Sequence, residues 1–507
     1  MEQIHELTLN HHILMMQPAV CLINGHPASS LYVLSMEGVF TVSNNKVGFW
    51  ILTALVVGNM VGSGIFMLPR SLAEVSSPAG SVLAWAITGF GVLMLALVFG
   101  NLALRKPELN GGPQIYAKEL FPNSPVLSVL SGFMSSWGYW VGNVAGFVAV
   151  ITTFSSYLST FIPAMKSSAV WFSIGTLDIK TGNALNFIVC SLLLWATHAL
   201  ALRGIEGAGK MNLIATATKV IGFMLFIIIA LFAFQEANIG PFAAPHVTED
   251  GQTMGLLSQV NSAAVVTLWA FIGVESAMVF AARARRKQDV RRATIVGLLM
   301  ALVLYVGISI LTMGLLPGEK LIHSQNPLVD AMTAVLGPIG GYLLAALGLV
   351  SLIGSTIGWV LLSAEVPYEA AKQGVFLRPF RSVNSKGMPK LSLWISNALG
   401  QLLIFSTISG SISQAFDFII AIATLAYLVP YLISALYQLR LVITGDGYRA
   451  GERRYGDGLI AVLATIYSVW VIYAGTADWR TFWFGVLMIA SGIVFYPLLL
   501  RQLRKNG

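Results

Sequence analysis

Apolar stretches of about 20 residues recur from residue 48 to the C-terminus, separated by short polar segments, and this recurrence constrains the chain more than any other feature. Each stretch is long enough to cross the hydrocarbon of a bilayer as a helix, where every backbone N–H and C=O must be satisfied internally. The spans fall near 48–68, 82–104, 125–163, 185–202, 212–235, 260–281, 293–316, 336–371, 391–408, 414–439, 458–475 and 482–500. With 56% hydrophobic and only 10% charged residues, an ordinary soluble domain is excluded. The expected fold is an all-α membrane protein of twelve spans, residues 46–507, preceded by a cytoplasmic tail over 1–45.

A net charge of +8 suggests nucleic acid in a soluble protein, but here the positive charges follow topology. If the N-terminus is inside, only Arg70, Lys166, Lys180, Lys320 and Arg480 face outward, and Lys219 falls within a span. Every other Lys and Arg, including the run from Arg283 to Arg292, is cytoplasmic, so both termini are expected inside and nucleic acid is not a partner. The lipid bilayer is. Cys21 and Cys190 support no disulfide framework, and no basic segment followed by a long apolar core marks a signal peptide. Met1 and Met36 both stand as possible starts.

Two spans are interrupted. The first carries Gly58-Asn59-Met60-Val61-Gly62-Ser63-Gly64, and the sixth carries Trp269-Ala270-Phe271-Ile272-Gly273-Val274-Glu275-Ser276. These breaks occupy corresponding places in two successive five-span halves, residues 48–235 and 260–440, with 458–500 adding two further spans. Paired breaks of this kind point to an inverted-repeat transporter. Glycines in one span alone would more simply serve close helix packing. A half-helix N-terminus suits a carboxylate and a free carbonyl end suits an ammonium, so an amino acid, which carries both, fits such a pair.

Several motifs then place a resemblance. Gly62-Ser63-Gly64-Ile65-Phe66 with Pro69, Phe271-Ile272-Gly273-Val274-Glu275-Ser276, Trp140-Val141-Gly142-Asn143, Gly358-Trp359, the run from Ala370 to Phe376, and Val429-Pro430-Tyr431 occur in order. Over roughly residues 47–440 the chain resembles the basic amino acid/polyamine antiporters of the amino acid/polyamine/organocation transporters, closer to their arginine/ornithine or lysine branch than to their arginine/agmatine exchangers. The resemblance implies that Met60, Ser63 and Gly64 receive the substrate carboxylate and that carbonyls near Trp269 and Ile272 take its ammonium, with Trp269 also a gate. It implies that Asn143 bonds the distal end and that Trp359 packs on the side chain, where a cation on an indole face gains about 0.5–2 kcal/mol. Glu275 would act in gating or proton response, and Tyr431 would close an access path. In proton-coupled relatives a fifth-span lysine stands where related transporters bind sodium, so the resemblance implies a coupling or structural cation role for Lys219 and argues against sodium coupling.

The pattern departs from arginine/agmatine exchangers in two places: Ala423 or Thr424 replaces a tenth-span serine, and Ser135-Ser136-Trp137 precedes the Asn143 motif. An intramembrane ionisable residue such as Glu275 or Lys219 is functional by default, whereas a tryptophan in a span is as often packing. His198, Glu365 and Asp417 are read as interfacial or cytoplasmic. No G-x-S-x-G, H-E-x-x-H, phosphate loop or metal-ligand spacing occurs, so neither catalysis nor a cofactor is expected. The expected activity is exchange of a basic amino acid, foremost arginine, for a product such as ornithine across the cytoplasmic (inner) membrane. Lysine or other amino acid uptake by proton symport and arginine/agmatine exchange remain open, as does assembly as a homodimer.

Overall fold

The computed structural model describes residues 48–504 apart from 110–111, 175–176, 248–250, 252, 280, 282–283, 410–411 and 476–478. The expected N-terminal tail, with Cys21 and Met36, therefore lies outside the described residues, as does the side chain of Asp417. Among the described residues twelve helices are long and apolar enough to span a membrane. They run Leu52–Val75, Pro78–Arg105, Pro125–Leu158, Thr181–Leu202, Ile214–Ala233, Leu256–Val279, Lys287–Leu315, Pro327–Lys372, Lys390–Ile408, Ala423–Thr444, Tyr455–Gly475 and Phe482–Arg504.

Local chemistry explains where several of them start and bend. The second and third spans open on Pro78 and Pro125, whose missing N–H costs nothing in a first turn, behind Ser77 and Ser124, whose side chains accept from Gly80 N and Leu127 N. The eighth begins at Pro327, earlier than hydropathy places it, and turns at Gly337 (φ 70°, ψ −169°) just before Pro338. A short antiparallel hairpin, Val170–Ile174 with Leu177–Lys180, joins the third and fourth spans; hydropathy windows sized for spans do not register strands this short.

The spans sort by contact into two groups. The first, second, sixth and seventh pack on one another, and so do the third, fourth, eighth and ninth; the fifth leans on the eighth and the tenth on the third. Enclosure differs among the spans: the apolar windows of the first and third are 89% buried, against 22% for the twelfth. The first and third spans are thus held inside protein, where irregular backbone is tolerable, while the twelfth faces outward with side chains that lipid can solvate. His198 departs from the interfacial reading. It is buried, its Nδ1 lies 2.6 Å from Asn397 Nδ2 of the ninth span, and Trp195 and Trp394 flank its ring. Sequence position near a span end says nothing of the side a residue faces, and this one faces inward.

Candidate functional site

The first span is two helices, Phe49–Met60 and Gly64–Val75. At the break Gly62 N donates to Met60 O (2.7 Å), so the carbonyl of Gly58, its partner in a continuous helix, is released. Lys219 of the fifth span takes that carbonyl at 2.9 Å and donates also to Ser355 Oγ of the eighth at 2.9 Å. A cation at the negative end of a half-helix dipole is favourably placed, and the two bonds supply part of the compensation that burying it requires. Ser63 sits at the N-terminus of the second half-helix, where unpaired N–H groups suit an anion.

The sixth span breaks after Leu256–Phe271 and resumes at Ser276. Gly273 adopts φ 105°, open to glycine at little cost, and a Cβ there would lie 3.1 Å from Asn59 C and Met60 N. The two interruptions are therefore in contact, and Asn59 Nδ2 donates to Ser276 Oγ (2.8 Å) across them. Of the carbonyls near this break, Trp269 O accepts from Ile272 N (3.2 Å), Phe271 O from Val274 N (3.1 Å) and Ala270 O from Tyr305 Oη (2.6 Å), each keeping a second lone pair.

Two indoles cover the crossing. Trp269 lies against Gly64, whose Cβ would stand 3.3 Å from its Cδ1, and Trp359 Nε1 lies 3.5 Å from the Cβ position of Gly62. The rings are stacked, with centroids 6.3 Å apart and planes 25° apart. On the other side Trp359 rests on Gly146 of the third span, one turn beyond Asn143. Asn143 turns its Nδ2 back to Tyr139 O (2.7 Å), which leaves its buried Oδ1 without a partner.

Glu275 is wholly buried and well supplied. Oε1 accepts from Tyr139 Oη (2.7 Å); Oε2 accepts from Tyr431 Oη (2.5 Å) and from Gly273 N (3.1 Å). One carboxyl thus ties the sixth-span break to the third and tenth spans.

The residues singled out from sequence meet in this region. Met60, Ser63, Gly64, Trp269, Ile272 and Trp359 line the crossing, with Asn143 beside Trp359; Glu275 and Tyr431 form a carboxyl–hydroxyl pair behind it, and Lys219 supports the first break. Glu365 lies half-buried in the eighth span. Sequence reasoning missed Tyr139, Tyr427 and Gly146, yet each is three or four residues from a residue it chose, the spacing that puts two side chains on one helix face.

Residues 47–497 match the family described as amino acid permease. The chain is 49% identical over 462 residues to a putative arginine/ornithine antiporter of Bacillus subtilis, covering 91% of this chain and 98% of the relative. It is 36% identical to an arginine/ornithine antiporter of Pseudomonas aeruginosa (90% and 91% covered) and 32% identical to an L-lysine transport protein of Corynebacterium glutamicum (88% and 87%).

Proposed function

Because this chain belongs to the amino acid permease family, we propose that it is a secondary transporter exchanging arginine for ornithine across the cytoplasmic membrane. The observation that carries this reading is the contact between two interrupted helices beneath a stacked pair of indoles. One interruption offers N–H groups at Ser63 and Gly64 to a carboxylate; the other offers carbonyls of Trp269 to Ile272 to an ammonium. Similarity to proteins named arginine/ornithine antiporters supports the choice of substrates.

In this proposal Met60 flanks the carboxylate, Trp269 closes over the bound amino acid, and Trp359 stacks on the distal cation while Asn143 Oδ1 accepts from it. Glu275, held by Tyr139 and Tyr431, latches the sixth span to the third and tenth, and releasing it opens one access path. Lys219 holds the first break with its own ammonium, in place of a coupling cation. Both substrates carry one net positive charge at neutral pH, so one-for-one exchange moves no net charge and is driven by the two solute gradients alone. Residues 48–235 and 260–440 act as the two repeats that rock about the site, with both termini cytoplasmic. Lysine uptake is the second reading, supported by the likeness to an L-lysine transport protein.

The test is uptake of labelled arginine into proteoliposomes. Loading with ornithine should accelerate it, and Trp359→Ala or Asn143→Ala should abolish it in protein that still folds. Equal uptake into loaded and empty vesicles rules out obligatory exchange.

A further inference from the structure

Tyr427 stands on the tenth span one turn before Tyr431, is wholly buried, and has a hydroxyl with no hydrogen-bond partner. Its ring is perpendicular to Trp359 (centroids 6.4 Å, planes 88°) and to Tyr139 (5.0 Å, 81°), and it packs on Gly142, whose Cβ would lie 3.0 Å from it. Two other buried polar atoms in this locus are unpartnered, Asn143 Oδ1 on the third span and Trp359 Nε1 on the eighth. Glu275, Lys219, and Asn59 with Ser276 are paired. Of the unpartnered atoms, Tyr427 Oη and Asn143 Oδ1 can accept from a cation and stand beside the Trp359 ring on which the proposed distal cation stacks, whereas Trp359 Nε1, an N–H donor set against Gly62, cannot.

We propose that Tyr427 is a substrate-contacting residue that favours a guanidinium over an ammonium, its Oη accepting an in-plane N–H while Trp359 covers the flat face and Asn143 Oδ1 accepts a second N–H. This rests on the exchange reading given for the site. The perpendicular setting of Tyr427 and Trp359 suits the task, because a planar cation stacked on one ring presents its N–H edge to the other. A guanidinium directs five N–H groups in one plane and so needs acceptors at fixed positions around its rim. An ammonium on a shorter stem has three donors that rotate freely and reaches less far.

Tyr427→Phe keeps the ring contacts and removes the oxygen alone. In full-length protein in proteoliposomes, the half-saturating arginine concentration should rise about tenfold or more, the loss expected for one hydrogen bond to a charged group. The value for ornithine should move by less than about threefold, and the melting temperature should hold or rise, since a partnerless buried hydroxyl is removed. Unchanged arginine affinity, an equal loss for both substrates, or a melting temperature lower by several degrees overturns the proposal. Asn143→Ala, run alongside, separates the two layers: full transport by that variant removes the site itself, whereas its failure beside a normal Tyr427→Phe removes only the role of Tyr427.

Discussion

Adding one methyl group at Gly146 should displace the indole on which the proposed cation site depends. A Cβ there would stand 2.5 Å from Trp359 Cζ3, 2.8 Å from Cε3 and 3.2 Å from Cη2. Carbon atoms in contact prefer about 3.5–4.0 Å, so the ring must retreat by about 1 Å. It is hemmed in by Trp269 and Tyr427, and overpacking of this kind costs about 1–3 kcal/mol. If the shift also forfeits the indole–cation contact, about 0.5–2 kcal/mol, arginine affinity falls about twofold to thirtyfold. Gly146→Ala is made alone and in a Trp359→Leu background, with thermal melting and arginine binding measured in detergent. In the wild-type background stability and affinity both fall. In the Leu background the clashing atoms are gone, and alanine, the better helix former by about 0.5–1 kcal/mol, should be neutral or stabilising. The same destabilisation in both backgrounds would show that the methyl collides with something other than Trp359, and unchanged arginine binding would refute the wall assignment.

Gly273→Ala places a side chain at φ 105° and 3.1 Å from the backbone of the other break, so it should cost about 1–3 kcal/mol and abolish exchange; a normal melting curve with full transport would contradict the close crossing. Glu275→Gln weakens two charge-assisted hydrogen bonds of about 1.5–3 kcal/mol each, and should raise leak of arginine from vesicles lacking an exchange partner; leak at the wild-type level would remove the latch. Lys219→Gln withdraws the ammonium from Gly58 O and should change how exchange rate varies with pH, whereas a superimposable pH profile would leave Lys219 without a part in coupling.

Much of this molecule is readable residue by residue. The spans follow from hydropathy because a bilayer imposes one length and one solvent on every crossing segment, so a local average suffices. The breaks follow from two polar, glycine-containing runs, Gly58–Gly64 and Trp269–Ser276, because their corresponding places in the two halves set them apart from glycines that merely let helices pack closely. Legibility fails where two helices must be rotated correctly against each other. Tyr139 is one aromatic among many in the third span until the fold turns it onto Glu275, and His198 looks interfacial until the ninth span covers it.

The one-dimensional order of residues determined by itself that the chain lives in a membrane, where it crosses, and which two crossings are interrupted, because solvent preference and backbone freedom belong to each residue separately. Only the tertiary structure decided that the two interruptions touch through Asn59 and Ser276, that Lys219 takes the carbonyl freed at Gly58, and that Trp359 lies on Gly146. Those pairings join residues far apart in the chain. They depend on the angle at which each helix is turned toward its neighbour, and packing sets that angle.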